Sequence, residues 1–270
     1  MVKKVEIKPE EIIKEIEEPI KVIIEDSETE EKDAIEVPAE IEAVVKPKGR
    51  FEEMEENKLR AWVPKTTLGK DVKSGKIKKI DEILESKKKI QEEQIVDTLL
   101  NVKTDLISIG QSKGKFGGGK RRAWRQTQKK TKEGNVPSFS ALAVVGDEAG
   151  HVGIGEGKAQ ETLPARDKAI RQAKLNLIKV KRGCGGFDCA CTEPHSIPLT
   201  VTGKQGSVKV TLIPAPQGTG LAVANELKKV LKLAGIKDVY SKTFGIQRTN
   251  FNLVKACIKA LQQTNAKWFV

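Results

Sequence analysis

The sequence predicts an α+β protein made of two consecutive β-rich blocks, each closed by helices. FSALAVVGDEAGHVGIG (139–155) is a pair of apolar, glycine-punctuated runs about a Gly-Asp turn, and it feeds a helical pattern over 159–182. SIPLTVTGK (196–204) and GSVKVTLIPA (206–215) repeat the hairpin signal. Helical spacing returns over 221–235 and 250–264, on either side of the strand-like KDVYSKT (237–243), so the second block has the order β-β-α-β-α.

The elements follow in order. Residues 1–50 are rich in Glu, Ile and Lys, contain Pro9, Pro19, Pro38 and Pro47, and have no aromatic residue or sustained helical period. This predicts an acidic, mostly disordered extension, which either shields the rest of the chain or is simply tolerated. Residues 51–103 predict a helical leader, with Ile80, Ile83, Leu84, Ile95 and Leu99 at helical spacing and a basic, loop-like VPKTTLGKDVKSGKI (63–77) before them. DLISIG (105–110) is a short strand that opens the block 104–182. In the helix at 159–182, Leu163, Ile170, Ala173 and Leu177 fall on one face. Residues 183–195 are a cysteine-rich connector, and 196–270 form the second domain. Its helices present Leu227, Val230, Leu231 and Ala234, then Phe251, Val254, Ile258 and Leu261, to a core.

Charge indicates the partner. The net charge is +12 over 270 residues, unevenly spread. Residues 1–45 carry fifteen acidic and six basic side chains, leaving 22 acidic and 43 basic on the remainder, a net of +21. A body so basic points to a polyanion, above all nucleic acid. No eighteen-residue apolar stretch exists to cross a membrane, and the acidic start lacks the apolar core of a secretory signal. Three of the four cysteines fall between Cys184 and Cys191, which is not a dispersed disulfide framework.

The glycine-rich stretch KGKFGGGKRRAWRQTQKK (113–130) poses a choice between a nucleotide loop and a polynucleotide arm. A phosphate-binding loop needs Ser or Thr after its lysine to hold magnesium, and here Arg121 follows Lys120. GIGEGK (153–158) likewise fails as a dinucleotide fingerprint. The arm reading fits better: Lys113, Lys115, Lys120, Arg121, Arg122, Arg125, Lys129, Lys130 and Lys132 supply phosphate partners over 111–136. Phe116 and Trp124 stack on bases or pack beneath the arm; both readings are open. In VGIGEGKA (152–159), Gly153, Gly155 and Gly157 alternate, which weakens a strand unless another backbone comes very close. With Lys158, Arg166, Lys168 and Arg171 they form a second candidate RNA contact.

Cys184, Cys189, Cys191 and His195 have the spacing C-x4-C-x-C-x3-H. Three thiolates and one imidazole complete a tetrahedral zinc shell; reduced structural thiols and a disulfide within the loop are the alternatives. Cys257 lies in an apolar helix and belongs to the core. No Ser-His-Asp or paired-carboxylate arrangement stands out, and His151 falls in a hairpin turn, so the sequence is that of a non-enzyme.

The stretches FSALAVVGDEAGHVGIGEGKAQETLPARDKAIRQAKLNLIKV (139–180) and HSIPLTVTGKQGSVKVTLIPAPQGTGLAVANELKKVLKLAGIKDVYSKTFG (195–245) closely resemble the small-subunit ribosomal proteins of the S-five family. The likeness covers about residues 60–264, and RGCGGFDCACTEPHSIP (182–198) with VPKTTLG (63–69) resembles the archaeal branch. The resemblance implies a double-stranded-RNA-binding-domain-like N-terminal domain and a C-terminal domain of the family's second type, which also occurs in kinases. It implies a structural constituent of the small ribosomal subunit, cytoplasmic in the ribosome, bound to ribosomal RNA. The implied neighbours are proteins of the S-four and S-eight families and messenger RNA where it enters the subunit, with a part in subunit assembly and translational accuracy. It further implies that 111–136 and VGIGEGKA are RNA contacts. The long basic arm and the acidic extension depart from the family pattern.

Overall fold

The computed structural model describes residues 59, 61–86, 88–111, 121–185, 189, 191 and 193–265. The expected extension 1–50 and the arm residues Lys113, Lys115, Phe116 and Lys120 lie outside them.

Among the described residues the leader holds three short helices: α1 (Thr67–Lys73), α2 (Ile80–Glu85) and α3 (Glu93–Leu99). Helices this short do not persist alone in water, so packing must hold them. They bury Ile80, Ile83, Ile95 and Val96 in one cluster with Val72 and Ile90. The stretch expected to be a basic loop contains α1, because Thr66 caps it: its hydroxyl accepts from the Gly69 N–H at 3.0 Å. Glu92 ties the ends together, accepting from Trp62 Nε1 (2.8 Å), Lys65 N (3.0 Å) and Thr66 N (2.6 Å).

The first sheet contains β1 (Lys103–Leu106), β2 (Trp124–Thr131), β3 (Gly134–Gly146), β4 (His151–Ala159) and β5 (Leu177–Lys179). β1 and β2 pair with opposite ends of the long β3, at Leu106↔Ala143 and Trp124↔Ala141, so the chain between them leaves and rejoins one sheet edge. The strand expected at 105–110 ends at Leu106. Beyond it the backbone is held by side chains of the second domain instead. Ser108 N donates to Glu226 (3.0 Å), and Ser108 O accepts from Asn250 Nδ2 (2.6 Å).

Helix α4 (Thr162–Leu175) lies across β3 and β4. It is shorter than the expected 159–182, because Leu177, Ile178 and Lys179 return to the sheet as β5 beside β4. Of its expected inner face Ala173 is buried and Ile170 packs against the same cluster, but Ala165 and Ala169 are buried with them and Leu163 is 67% exposed. The strand beneath explains this. A Cβ on Gly153, Gly155 or Gly157 would collide with the α4 backbone at Ala173, Ala169 and Ala165 respectively. The helix sits so near that only alanine fits beneath it. The alternating glycines admit a protein backbone, and being buried they are removed from the RNA contacts assigned to them.

The second sheet has the order β6-β7-β9-β8, formed by Val201–Gln205, Val208–Pro214, Val239–Phe244 and Leu221–Ala222. Helices α5 (Asn225–Leu233) and α6 (Asn250–Gln263) cover one face. The helix expected to start at 221 starts at Asn225, because Leu221 and Ala222 pair in parallel with β9. The close-approach device recurs: a Cβ on Gly203 of β6 would strike the Ala256 carbonyl and Ala260 N of α6. The two sheets share one core, in which Leu142, Val144 and Val152 of the first meet Leu227, Val230 and Leu231 of α5.

Gly155→Val should therefore lower stability by about 1–3 kcal/mol through overpacking, read as a fall in the urea midpoint, while Lys158→Ala on the same strand should move it little. Equal midpoints for Gly155→Val and the wild type would contradict this packing.

Candidate RNA surface and metal centre

The basic arm begins at a fixed root. Gly110 N donates to Arg122 O (2.8 Å), and Arg121 Nη1 donates to Asn250 Oδ1 (3.3 Å), which anchors the root on α6. From there β2 runs out with every residue but Thr131 exposed, and the part of β3 nearest the turn, Gly134, Asn135 and Val136, is exposed with it. Residues 121–132 hold six basic side chains and no acidic one. Trp124 is 40% exposed, so it does not anchor a core and remains available to a ligand.

Strand register sorts the other expected contacts. Arg125 pairs with Ser140, which pairs with Lys158, so Arg125, Lys129 and Lys158 share one face of the sheet. Trp124 and Lys130 lie on the opposite face, which carries α4 with its exposed Arg166, Lys168 and Arg171. Arg166 lines a groove with Glu93, Asp97 and Asp167, so its surroundings are mixed in sign.

The cysteine loop closes on itself. One ligand atom from each of Cys184, Cys189, Cys191 and His195 lies within 4.8 Å of the others. Cys189 Sγ is 3.0 Å from Cys191 Sγ and 3.4 Å from His195 Nε2. The hydrogen bond between the two thiols holds Cys189 down to about 6 and pushes Cys191 up to about 12. Sequence reasoning missed what orients the histidine. The buried Asp238, at the foot of β9, takes the Nδ1–H of His195 at 2.8 Å, which fixes Nε2 toward the sulfurs. Its other oxygen accepts from Gly220 N (2.7 Å), and the backbone N–H of Gln217 bonds to Cys189. Nothing local marks Asp238, which is 43 residues away in sequence. The donor set, its spacing and the oriented imidazole together fit a metal ion. Cys257 is buried, and burial pushes its thiol up to about 12, as befits a core residue.

His151 is not the free turn residue its sequence suggests. Its Nδ1 is 2.5 Å from Asp147 and its Nε2 is 3.1 Å from Asp81 of α2, which also meets Lys179 at 3.0 Å. Burial alone would lower the imidazole, but hydrogen bonds to Asp147 and Asp81 and their charges outweigh it and raise it. Burial would likewise raise the two aspartates, but the same bonds hold them below their ordinary range. Both histidines are thus engaged structurally.

Family models for "Ribosomal protein S5, N-terminal domain" and "Ribosomal protein S5, C-terminal domain" match residues 122–181 and 203–267. The small ribosomal subunit protein uS5 of Nanoarchaeum equitans is 50% identical over 206 residues, 76% of this chain and 88% of that protein. Those of Thermofilum pendens and Pyrobaculum aerophilum are 45% and 46% identical over 75% and 76% of this chain and 94% and 88% of theirs. The chain belongs to the ribosomal protein S5 family. It is of the archaeal type, a ribosomal component and not an enzyme, and its place is the ribosome in the cytoplasm. No helix among the described residues is long and apolar enough to cross a membrane. The cysteine–histidine cluster falls between the two family models, in the connector, and the root of the arm sits at the edge of the first.

The His151 cluster carries a pH signature. A raised histidine contributes fully below its unfolded value of 6.5 and loses that contribution as pH rises through the folded value. The lowered aspartates contribute fully above 3.8 and lose it as pH falls. The cluster is thus strongest between those two values. The melting-temperature gap between wild type and His151→Gln should be wide near pH 6 and narrow near pH 9; a gap that stays constant would show that the imidazolium contributes nothing.

Proposed function

We propose that this chain binds small-subunit ribosomal RNA through its basic hairpin and builds the connector around a structural zinc ion. The observation that carries the first half is the β2 strand of the β2–β3 hairpin, cationic along 121–132 and exposed along its length except at Thr131. A strand whose exposed side chains are mostly basic or amide gains little by packing on a protein, whereas arginines set on a paired ladder meet successive phosphates. Arg121, Arg122, Arg125, Lys129 and Lys130 are the principal contacts, with Trp124 stacking on an unpaired base and Lys158 beside Arg125. The exposed Arg166, Lys168 and Arg171 of α4 extend the same surface. Lys113, Lys115 and Lys120 belong to the same arm.

In this reading the two domains also dock neighbouring proteins of the S-four and S-eight families. The arm supports subunit assembly, the passage of messenger RNA into the subunit and translational accuracy. The relatives are named as small ribosomal subunit proteins, which favours this setting over a free RNA chaperone.

Zinc suits the donor set of three sulfurs and an imidazole, and four protein ligands leave no open position, so the ion would be structural. Bound there, it would neutralise the thiolates. Asp238 would hold the His195 ring in place, and Gln217 would donate to Cys189, joining the connector to the 214–220 loop.

Charge reversal at Arg121, Arg122 and Arg125 should weaken binding to ribosomal RNA and make its logarithmic salt dependence shallower by about 2–3; an unchanged slope would remove the hairpin from the interface. Freshly purified protein should hold about one zinc per chain by elemental analysis, and Cys189→Ser with Cys191→Ser should hold almost none. Metal-free wild type would leave plain thiols as the correct reading.

A further inference from the structure

Among the described residues, the second sheet is covered on one face only. Val201, Val208, Val210, Leu212 and Val239 are buried beneath α5 and α6. The alternate residues form the other face, and the ladder sets them in rows: Lys204–Lys209–Phe244, Thr202–Thr211–Lys242, and Ile213–Tyr240–Ala222. This face holds three lysines and no acidic residue. Its two aromatic rings are large apolar groups left in water, Tyr240 at 43% and Phe244 at 50% exposure. They are four residues apart on β9, hence on the same face and separated by about 13 Å.

We propose that this open face binds single-stranded RNA, with Tyr240 and Phe244 stacking on bases and Lys204, Lys209 and Lys242 meeting the phosphates. Uniform positive charge selects a polyanion. Phe244 lies beside Lys209, Tyr240 lies between Ile213 and Ala222, and Lys242 separates the two rings along β9. Rings set apart by a cation suit separate bases better than one continuous apolar partner surface. A nearly flat sheet offers these rings to unpaired bases, which a duplex keeps stacked inside. The face also leads toward the arm. β9 ends at Phe244, the exposed Arg248 follows in the next turn, and that turn delivers Asn250, which holds Arg121 at the arm root. One strand could therefore run from the sheet onto the hairpin. The inference rests on the reading of the chain as an RNA binder, but not on the arm being the contact.

The test uses full-length protein and a fluorescently labelled single-stranded RNA of about twelve nucleotides, with affinity read by anisotropy over a salt series. Tyr240→Ala with Phe244→Ala should weaken binding about tenfold at every salt concentration. Lys204→Ala, Lys209→Ala and Lys242→Ala together should make the logarithmic salt slope shallower by about two. All five positions are surface side chains, and circular dichroism checks that each variant is folded. The arm variant reversed at Arg121, Arg122 and Arg125 is measured alongside. Loss in the sheet variants with the arm variant intact supports this proposal and removes the arm. Wild-type affinity in both sheet variants overturns the proposal while leaving the arm reading to its own variant. Sheet variants that bind RNA normally but fail to join small subunits overturn it in favour of a protein-docking face.

Discussion

The closeness of helix to strand governs this architecture. On β4, Gly153, Gly155 and Gly157 present bare backbone to α4, and Ala165, Ala169 and Ala173 answer with the smallest side chain that still favours a helix. Gly203 against Ala256 and Ala260 repeats the arrangement in the second domain. Larger residues on either side would hold helix and sheet apart. With α4 seated flat on one face, the other face of β3 is free to pack Leu142 and Val144 against α5, so one core serves both domains.

That shared core also positions the functional segments. The backbone after β1 is gripped by Glu226, Lys229 and Asn250, so the arm emerges from a point that both domains define. The connector is fixed at its far end in the same manner. His195, Ser196 and Asp238 form a buried knot in which Ser196 Oγ donates to Asp238 O and Lys237 N donates to His195 O. The knot holds the imidazole ready while the cysteines stay at the surface. The leader is secured to the sheet by Asp81 with His151 and Lys179, and to α4 by Asp97 with Lys174.

Function follows the distribution of charge over this frame. Cationic side chains gather where no packing is required of them, on β2, on the outer side of α4 and on the open face of the second sheet. Acidic side chains among the described residues serve largely as internal ties. Asp81, Asp105, Asp147 and Glu92 each pair with a partner from elsewhere in the chain or cap a local turn. The result is a surface suited to phosphate and a set of packed elements tied to one another by ion pairs.

The sequence by itself determined the α+β class, the β-β-α-β-α order of the second block, the basic arm and the cysteine–histidine set, because these are carried by local periodicity, run composition and short-range spacing. Tertiary structure alone decided what the glycines of β4 are for, since an alternating glycine pattern is silent about which backbone approaches it. It alone assigned Asp238 to His195 and Asp81 to His151, pairings across 43 and 70 residues that no window of sequence contains. It also shortened α4 and set Ala165 and Ala169 beside Ala173 on its inner face while leaving Leu163 outside, since helical periodicity reports an apolar face but not the distance to the layer beneath. That distance is a property of two surfaces meeting, and only the folded chain brings them together.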